Sequence, residues 1–264
     1  MILENGLGKK QLNSKTVVFS DIDGSLLNDE YKAPEIEPII SRLLELGVAV
    51  VFNSSKTAAE IEYYRKKWKI RDPFIVENGS AIFIPKNYFQ KIPKDAKQTS
   101  DYYLVEFGLP YSVIREKLAA AKTQAGAQIR GFGDFSSQQL AADTGLPLEL
   151  AELAMQRQYS EPFMVLDGNK EGALETLRAM GLCVTSGGRY LHAMGISDKG
   201  RAAVALKKMY LDQNGGVLTM AVGDSLNDLP LLRVVDKPFW VDQKNSREKV
   251  WKQILLLTQQ ASTC

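Results

Sequence analysis

Residues 17–27 read VVFSDIDGSLL: four β-prone residues, Val17 to Ser20, run into two carboxylates two positions apart. In an extended chain, residues i and i+2 point to the same side. A strand ending here would therefore deliver Asp21 and Asp23 together at its C-terminal tip, where Gly24 and Ser25 turn the chain. Two like charges at one strand end repel, so a positive partner is expected. A divalent cation, a lysine and a phosphate ester are the candidate occupants.

Three further segments have the same character. Asn53-Ser54-Ser55-Lys56-Thr57 follows the apolar run Val48–Phe52. Lys199 stands at the start of a helical pattern, and Gly223-Asp224-Ser225-Leu226-Asn227-Asp228 follows the apolar run Val217–Val222. In a doubly wound sheet, loops at strand C-termini converge on one crevice. Together they supply acid, hydroxyl, amine and acid again, a set that suits phosphoryl transfer. Phosphorus needs a nucleophile, charge neutralisation on its oxygens and a proton for the leaving group. A carboxylate can be that nucleophile, giving an aspartyl-phosphate. Magnesium held by carboxylates would screen Asp21 from the phosphate and polarise its oxygens. A second acid two residues on could protonate the ester oxygen and then deprotonate the attacking water.

Each segment also has a plainer reading. Asp-x-Asp occurs in ordinary turns, and Ser54, Ser55, Thr57 and the Asp224–Asp228 stretch could be simple helix caps. Lys199 in a first helical turn opposes the helix dipole and so asks for another reason. The four segments in order, each at a strand end or helix start, favour chemistry over capping.

The elements that must position these residues alternate in the first half. Val17–Ser20 and Val48–Phe52 read as strands, and Pro34 to Leu46 and Thr57 to Lys69 as helices. Phe74–Val76 and Ala81–Ile84 flank Glu77-Asn78-Gly79, where Asn-Gly marks a hairpin turn. The last part resumes with a helix over Asp198 to Leu211, a strand over Val217–Val222, a short helix over Leu226 to Leu232, a strand within Val234–Val241 and a closing helix over Ser246 to Gln260. This order predicts an α/β fold with a doubly wound parallel sheet, its core made of residues 1–85 and 189–264. Residues 86–188 read as an inserted α+β module: strands at Tyr102–Phe107, Phe163–Leu166 and Leu182–Thr185, helices at Tyr111–Thr123 and Asn169–Met180, two shorter helices, and a loop at Gly131-Phe132-Gly133.

The 264 residues suit one core with a smaller insertion, and 45% apolar with 24% charged residues is ordinary for a soluble protein. A net charge of +2 gives no global field for nucleic acid or membrane, and Arg65-Lys66-Lys67 reads as a solvated helix face. Cys183 and Cys264 lack metal-ligand spacing and are not expected to pair, which suits a reducing cytoplasm. Residues up to Lys15 read as a loose tail without a hydrophobic signal segment. Monomer and homodimer both remain open.

DIDGSLL, NSSKT, DKG and GDSLND stand in the order and at the strand-end positions of the haloacid dehalogenase-like phosphatases, which this chain resembles. Within that superfamily, residues 53–65, 73–85, 187–195, 196–206 and 221–232 are similar to the mannosyl-3-phosphoglycerate phosphatases. The resemblance implies Asp21 as nucleophile, Asp23 as general acid and base, Ser54 on the phosphoryl group and Lys199 as charge neutraliser. It implies a Mg2+ site of Asp21, Asp23 (through its carbonyl) and Asp224, ordered by Asn227 and Asp228. Ser25 stands where many relatives have threonine and keeps the hydroxyl. The insertion would be a cap that selects the substrate, a small phosphorylated glycoside. Ser55, Lys56, Glu77, Asn78, Glu161, Arg189 and His192 are candidate substrate contacts, and Arg157 is a further candidate or a surface ion pair. The implied reaction releases mannosylglycerate and phosphate. A glucosyl or other sugar phosphate, a phosphomutase and a non-catalytic sugar-phosphate sensor are the alternatives.

Overall fold

The computed structural model describes residues 15–187 and 189–262. In chain order the first elements are β1 (Lys15–Ser20), α1 (Glu37–Glu45), β2 (Ala49–Phe52), α2 (Ala58–Lys67), β3 (Phe74–Val76), β4 (Ala81–Pro85), β5 (Lys97–Gln98) and β6 (Tyr102–Glu106). Then come α3 (Tyr111–Ala125), β7 (Gln128–Gly131), α4 (Ser137–Thr144), α5 (Leu148–Ala154), β8 (Ser160–Asp167), α6 (Lys170–Ala179), β9 (Cys183–Gly187) and β10 (Tyr190–Met194). The chain closes with α7 (Lys199–Asn214), β11 (Val217–Gly223), α8 (Leu229–Leu232), β12 (Lys237–Trp240) and α9 (Arg247–Ser262).

The strands form three sheets. One is parallel, in the order β12-β11-β1-β2. β1, β2 and β11 are apolar on both faces because both are covered, while β12 at the edge is partly exposed. Val18, Val50 and Val222 pack with Ile40 and Leu43 of α1, Ile61 of α2 and Trp251 of α9. Val17, Phe19, Val51 and Ala221 pack with Ala202 and Leu206 of α7 and Leu231 of α8. The register pairs Ser20 with both Phe52 and Val222, so the loops that begin at Asp21, Asn53 and Gly223 leave the sheet side by side. A parallel bridge between Asn53 and Ile75 leads into the second, antiparallel sheet, β3-β4-β6-β5.

The third sheet, β7-β8-β10-β9, is antiparallel. Ile114 and Leu118 of α3 and Ala173 and Leu177 of α6 cover one face with Phe163 and Ala193. Phe132, Phe135, Leu140 of α4, Ala151 and Ala154 of α5, and Tyr190 make a separate small core.

Several expectations shift. β6 pairs with β4, so Tyr102–Glu106 extends the β3-β4 hairpin and has no partner in the third sheet. Tyr190–Met194, expected in the core, is the central partner of β8 and β9. The Gly131–Gly133 loop is the end of β7 followed by a 3-10 turn, Phe132–Asp134. The expected Leu226–Leu232 helix divides into a 3-10 turn, Leu226–Asp228, and α8. The helix expected from Pro34 begins at Glu37, after a turn in which the amides of Ile36 and Glu37 both donate to Ala33 O. Arg65 is not on a solvated face: it is buried against the Phe74 ring, with hydrogen bonds to Glu62, Tyr102 and Asp72 O, while Lys66 and Lys67 stay exposed. Lys15 belongs to β1, its amide donating to Gly216 O. The tail of residues 1–14, Gly188 and Cys264 lie outside the described residues. Cys183 is a free thiol.

Candidate active site

The parallel strands deliver their acids to one point. Asp21, Asp224 and Asp228 each offer a carboxylate oxygen, all within 4.8 Å of one another. Lys199 Nζ lies between two of them, donating to Asp21 Oδ1 at 2.8 Å and Asp228 Oδ1 at 2.6 Å, with its side chain fully buried. Asp198 caps α7 by accepting from Arg201 N, and this places Lys199 at the helix start. Asn53 Nδ2 donates to Lys199 O at 2.9 Å and ties that start to the end of β2.

The loop after β11 is built around Asp228. Its Oδ2 accepts from the amides of Asp224 and Ser225 and from Ser225 Oγ, and its Oδ1 takes the lysine. Asp224 leans toward β1: its Oδ1 accepts from Ser25 Oγ at 2.9 Å. Gly24 permits this approach. It has φ +72°, and a Cβ there would stand 2.2 Å from Asp224 Oδ2.

Burial and the nearby charges of Asp228 and Asp23 push Asp21 up to about 7, against the pull of Lys199. Burial also opposes charge on Lys199, but Asp21 and Asp228 outweigh it and hold the ammonium above its ordinary value. Asp224 is raised by burial and by Asp228, against its Ser25 hydrogen bond. Carboxylates held this close, with the ionised forms of Asp21 and Asp224 disfavoured, call for more positive charge than one lysine. An all-oxygen donor set of this kind fits a hard divalent cation.

The other expected metal residues stand next to this cluster. Asp23 turns its side chain to Lys56, with Oδ2 3.0 Å from Nζ and Oδ1 buried without a hydrogen bond. Its carbonyl accepts from Ser25 N. Asn227 donates to Asn78 Oδ1 at 3.1 Å and accepts from Ser225 Oγ at 2.5 Å.

Around the cluster opens a cleft of about 630 Å³ between the parallel sheet and the third sheet. Asp21, Asp23, Ser55, Lys56, Arg189, His192, Asp224 and Asn227 line it. Ser54 is buried at the end of β2, its Oγ accepting from Lys56 N at 3.4 Å. Thr57 caps α2 in a box with Glu60 and donates its hydroxyl to Leu153 O. Lys56 Nζ reaches Asp23 and, at 3.4 Å, Glu60, with the rings of Tyr31 and Tyr64 5.8 and 6.0 Å away. Arg189 is half exposed and bound to Asp143 through both its carbonyl and its carboxylate.

Two expected substrate contacts are placed elsewhere. Glu161 is buried beneath Arg115, Tyr111 and the Gly133 amide. The Glu77 carboxylate accepts from Gln158 N, Tyr159 N and Ser160 Oγ, which joins the β3-β4 turn to the start of β8. Asn78 beside it is buried and faces Asn227. The cleft also gains residues the sequence reading passes over: Asn28, Tyr31, Phe132, Thr144, Leu146 and Tyr190. Tyr31 carries one local signal only the structure reveals, a left-handed φ of +58°. A second hollow of about 490 Å³, lined by Phe89, Ile92, Phe107 and Met209 among others, contains none of these acids.

Parallel sheet, strand-end carboxylates and buried lysine agree with a match to the family of haloacid dehalogenase-like hydrolases over residues 18–261, and the chain belongs to that family. A haloacid dehalogenase-like hydrolase from Bacteroides thetaiotaomicron shares the fold, with a TM-score of 0.63 at 15% identity over 91% of this chain and 100% of that one. More closely in sequence, the chain is 41% identical to the glucosyl-3-phosphoglycerate/mannosyl-3-phosphoglycerate phosphatase of Methanococcoides burtonii, over 88% of this chain and 87% of that protein. It is 42% identical to the mannosyl-3-phosphoglycerate phosphatase of Pyrococcus horikoshii, over 85% of this chain and 90% of that protein.

Proposed function

We propose that this protein is a magnesium-dependent phosphatase that hydrolyses a glycosyl-3-phosphoglycerate, foremost the mannosyl compound, to the glycosylglycerate and phosphate. The observation that carries the reading is the buried Lys199 bridging Asp21 and Asp228, with Asp224 within 4.8 Å. It stands in a chain 41% and 42% identical to two phosphatases of those names.

In this reading an Asp21 oxygen attacks phosphorus. The ester P–O bond breaks and the leaving oxygen takes a proton from Asp23. Asp23 then removes a proton from water, which attacks the aspartyl-phosphate and frees phosphate. Lys199 and Ser54 hold the phosphoryl oxygens. Asp21, Asp224 and the Asp23 carbonyl would hold Mg2+, with Asp228 and Asn227 ordering the loop; the ion would supply charge neutralisation for the phosphate. The cleft residues from the third sheet would read the glycoside, and we assign the cap to the chain between β6 and α7. A small anionic substrate fits a protein in which no described helix is long and apolar enough to cross a membrane. We place the reaction in the cytoplasm.

Phosphate release from a panel of phosphorylated sugars and glycerates tests the substrate. The mannosyl or glucosyl compound is expected to lead by at least about tenfold in kcat/KM, and equal turnover across the panel would defeat the claim. Asp21→Asn is expected to abolish release, as is complete chelation of divalent cations. Residual turnover in either case removes that part of the mechanism.

A further inference from the structure

We infer that Arg157, with His192 in the same cleft, reads the carboxylate of the substrate's glycerate. This rests on the substrate class proposed above and adds to it the residue that selects for the acid.

Such a ligand brings a carboxylate in addition to its phosphate, and the cleft must offer it a cation with donors to spare. Lys199 is occupied by Asp21 and Asp228. Lys56 is held by Asp23 and Glu60. Arg189 is half exposed and closed off by Asp143. Arg157 differs from all three. It lines the cleft, yet its side chain is only 5% exposed, which removes the surface ion pair as its purpose. Nε donates to Ala154 O at 3.0 Å and Nη1 to Ser55 O at 2.7 Å, so the guanidinium is fixed in plane. Nη2 makes no hydrogen bond: Glu60 Oε2 lies 3.8 Å away, and the guanidinium stands 5.6 Å from the centre of the Phe132 ring. The Glu60 oxygen it approaches, Oε2, already accepts from Thr57 N.

His192 supplies the second half. It is 93% buried by its residual exposure of 7%, lines the same cleft, and its Nδ1 makes no hydrogen bond. A buried polar atom left without a partner is costly and points to one that arrives with the ligand. Burial first, then the charges of Arg157 and Lys199, keep the imidazole neutral. A neutral ring lining the same cleft as a fixed guanidinium presents a hydrogen-bonding group without a second buried charge. A planar guanidinium is also the side chain best matched to a carboxylate's geometry.

The test compares two substrates: mannosyl-3-phosphoglycerate, and the same molecule with the carboxylate reduced to a hydroxymethyl group. The readout is the ratio of their kcat/KM values in wild type, Arg157→Gln and Arg157→Lys. Wild type is expected to favour the acid. The ratio is expected to fall about 10- to 100-fold in Arg157→Gln, the span of one to two charge-assisted hydrogen bonds, mainly through KM of the acid. Arg157→Lys, which keeps charge but not the fork, is expected to fall between the two. A ratio equal to wild type in Arg157→Gln overturns the assignment. So does an equal loss on both substrates, because that is what misplacing Ser55 alone would produce. If Arg157→Gln does not fold by circular dichroism, Arg157→Lys decides, and a wild-type ratio there overturns the assignment. A wild type that does not favour the acid defeats the substrate reading itself, and that result comes from wild type alone.

Discussion

His192 offers a measurement free of other histidines, because the chain contains one. Burial, Arg157 and Lys199 lower its pKa from 6.5 to about 3. The unfolded chain therefore takes up a proton near pH 6.5 that the folded chain refuses until about pH 3. Above pH 6.5 the residue contributes no pH dependence. Below it, stability falls as pH drops: about 2 kcal/mol at pH 5, and up to about 5 kcal/mol once pH passes the folded value. Asp21 works the other way in metal-free protein. Its folded pKa is raised to about 7, so the folded state binds the extra proton, and stability rises by on the order of 2–3 kcal/mol as pH falls from 8 to 5. Wild type alone would thus show a small net change that hides both. His192→Gln removes one contribution and keeps a polar side chain. Urea unfolding with chelator present, at pH 8 and pH 5, should show the variant gaining about 2 kcal/mol relative to wild type across that interval. Parallel shifts of the two proteins would mean that His192 titrates normally, and the buried neutral imidazole would be refuted.

Two glycines separate backbone strain from site geometry. Gly24→Ala and Gly47→Ala both place alanine at positive φ, +72° and +73°, at a cost of about 1 kcal/mol. Only at Gly24 does the new Cβ meet Asp224, so Gly24→Ala is expected to lose at least about tenfold in kcat, while Gly47→Ala lowers Tm and keeps kcat; equal kcat values would refute the close approach. Glu77→Gln weakens an acceptor that serves Gln158, Tyr159 and Ser160, and should cost about 1–2 kcal/mol in urea unfolding. Because Asn78 next to it holds Asn227, the same variant is expected to need more magnesium for half-maximal activity; an unchanged metal titration would break that link.

The core acids were legible because each sits at the end of an apolar strand, and strand order alone brings such ends together. Asp21, Asp224 and Asp228 needed only that rule, while Lys199 stood out as a cation in the first turn of a helix. The second set of residues depends on contacts that spacing does not encode. Arg157 reads equally as a substrate contact or a surface ion pair until Ala154 O and Ser55 O are seen to hold its buried side chain. Glu161 reads as a free acid until Arg115, forty-six positions earlier, folds onto it. β7 is Gln-Ile-Arg-Gly, with one buried aliphatic side chain, and only its pairing with β8 makes it a strand. β10 looked like a return to the core because Gly187 precedes it, whereas it pairs with β8 and β9.

The charges around β1 lead to one further step. Asp21, Asp23, Asp224 and Asp228 face two lysines, Lys56 and Lys199, so the group is short of two positive charges. Glu60 and Arg157 stand as a near pair and leave that balance unaltered. Two missing charges are what one divalent ion supplies, while Asp21 is raised first by burial and then by the nearby charges of Asp228 and Asp23. With Asp23 carrying the proton it gives to the leaving oxygen, the loaded site keeps one net positive charge for the phosphate ester and has no spare cation beside the acids. Its carboxylate must find compensation beyond the acids, among the other residues that line the cleft. That places the demand for a second anion-binding group on the cap, where Arg157 is the buried cation with an open donor.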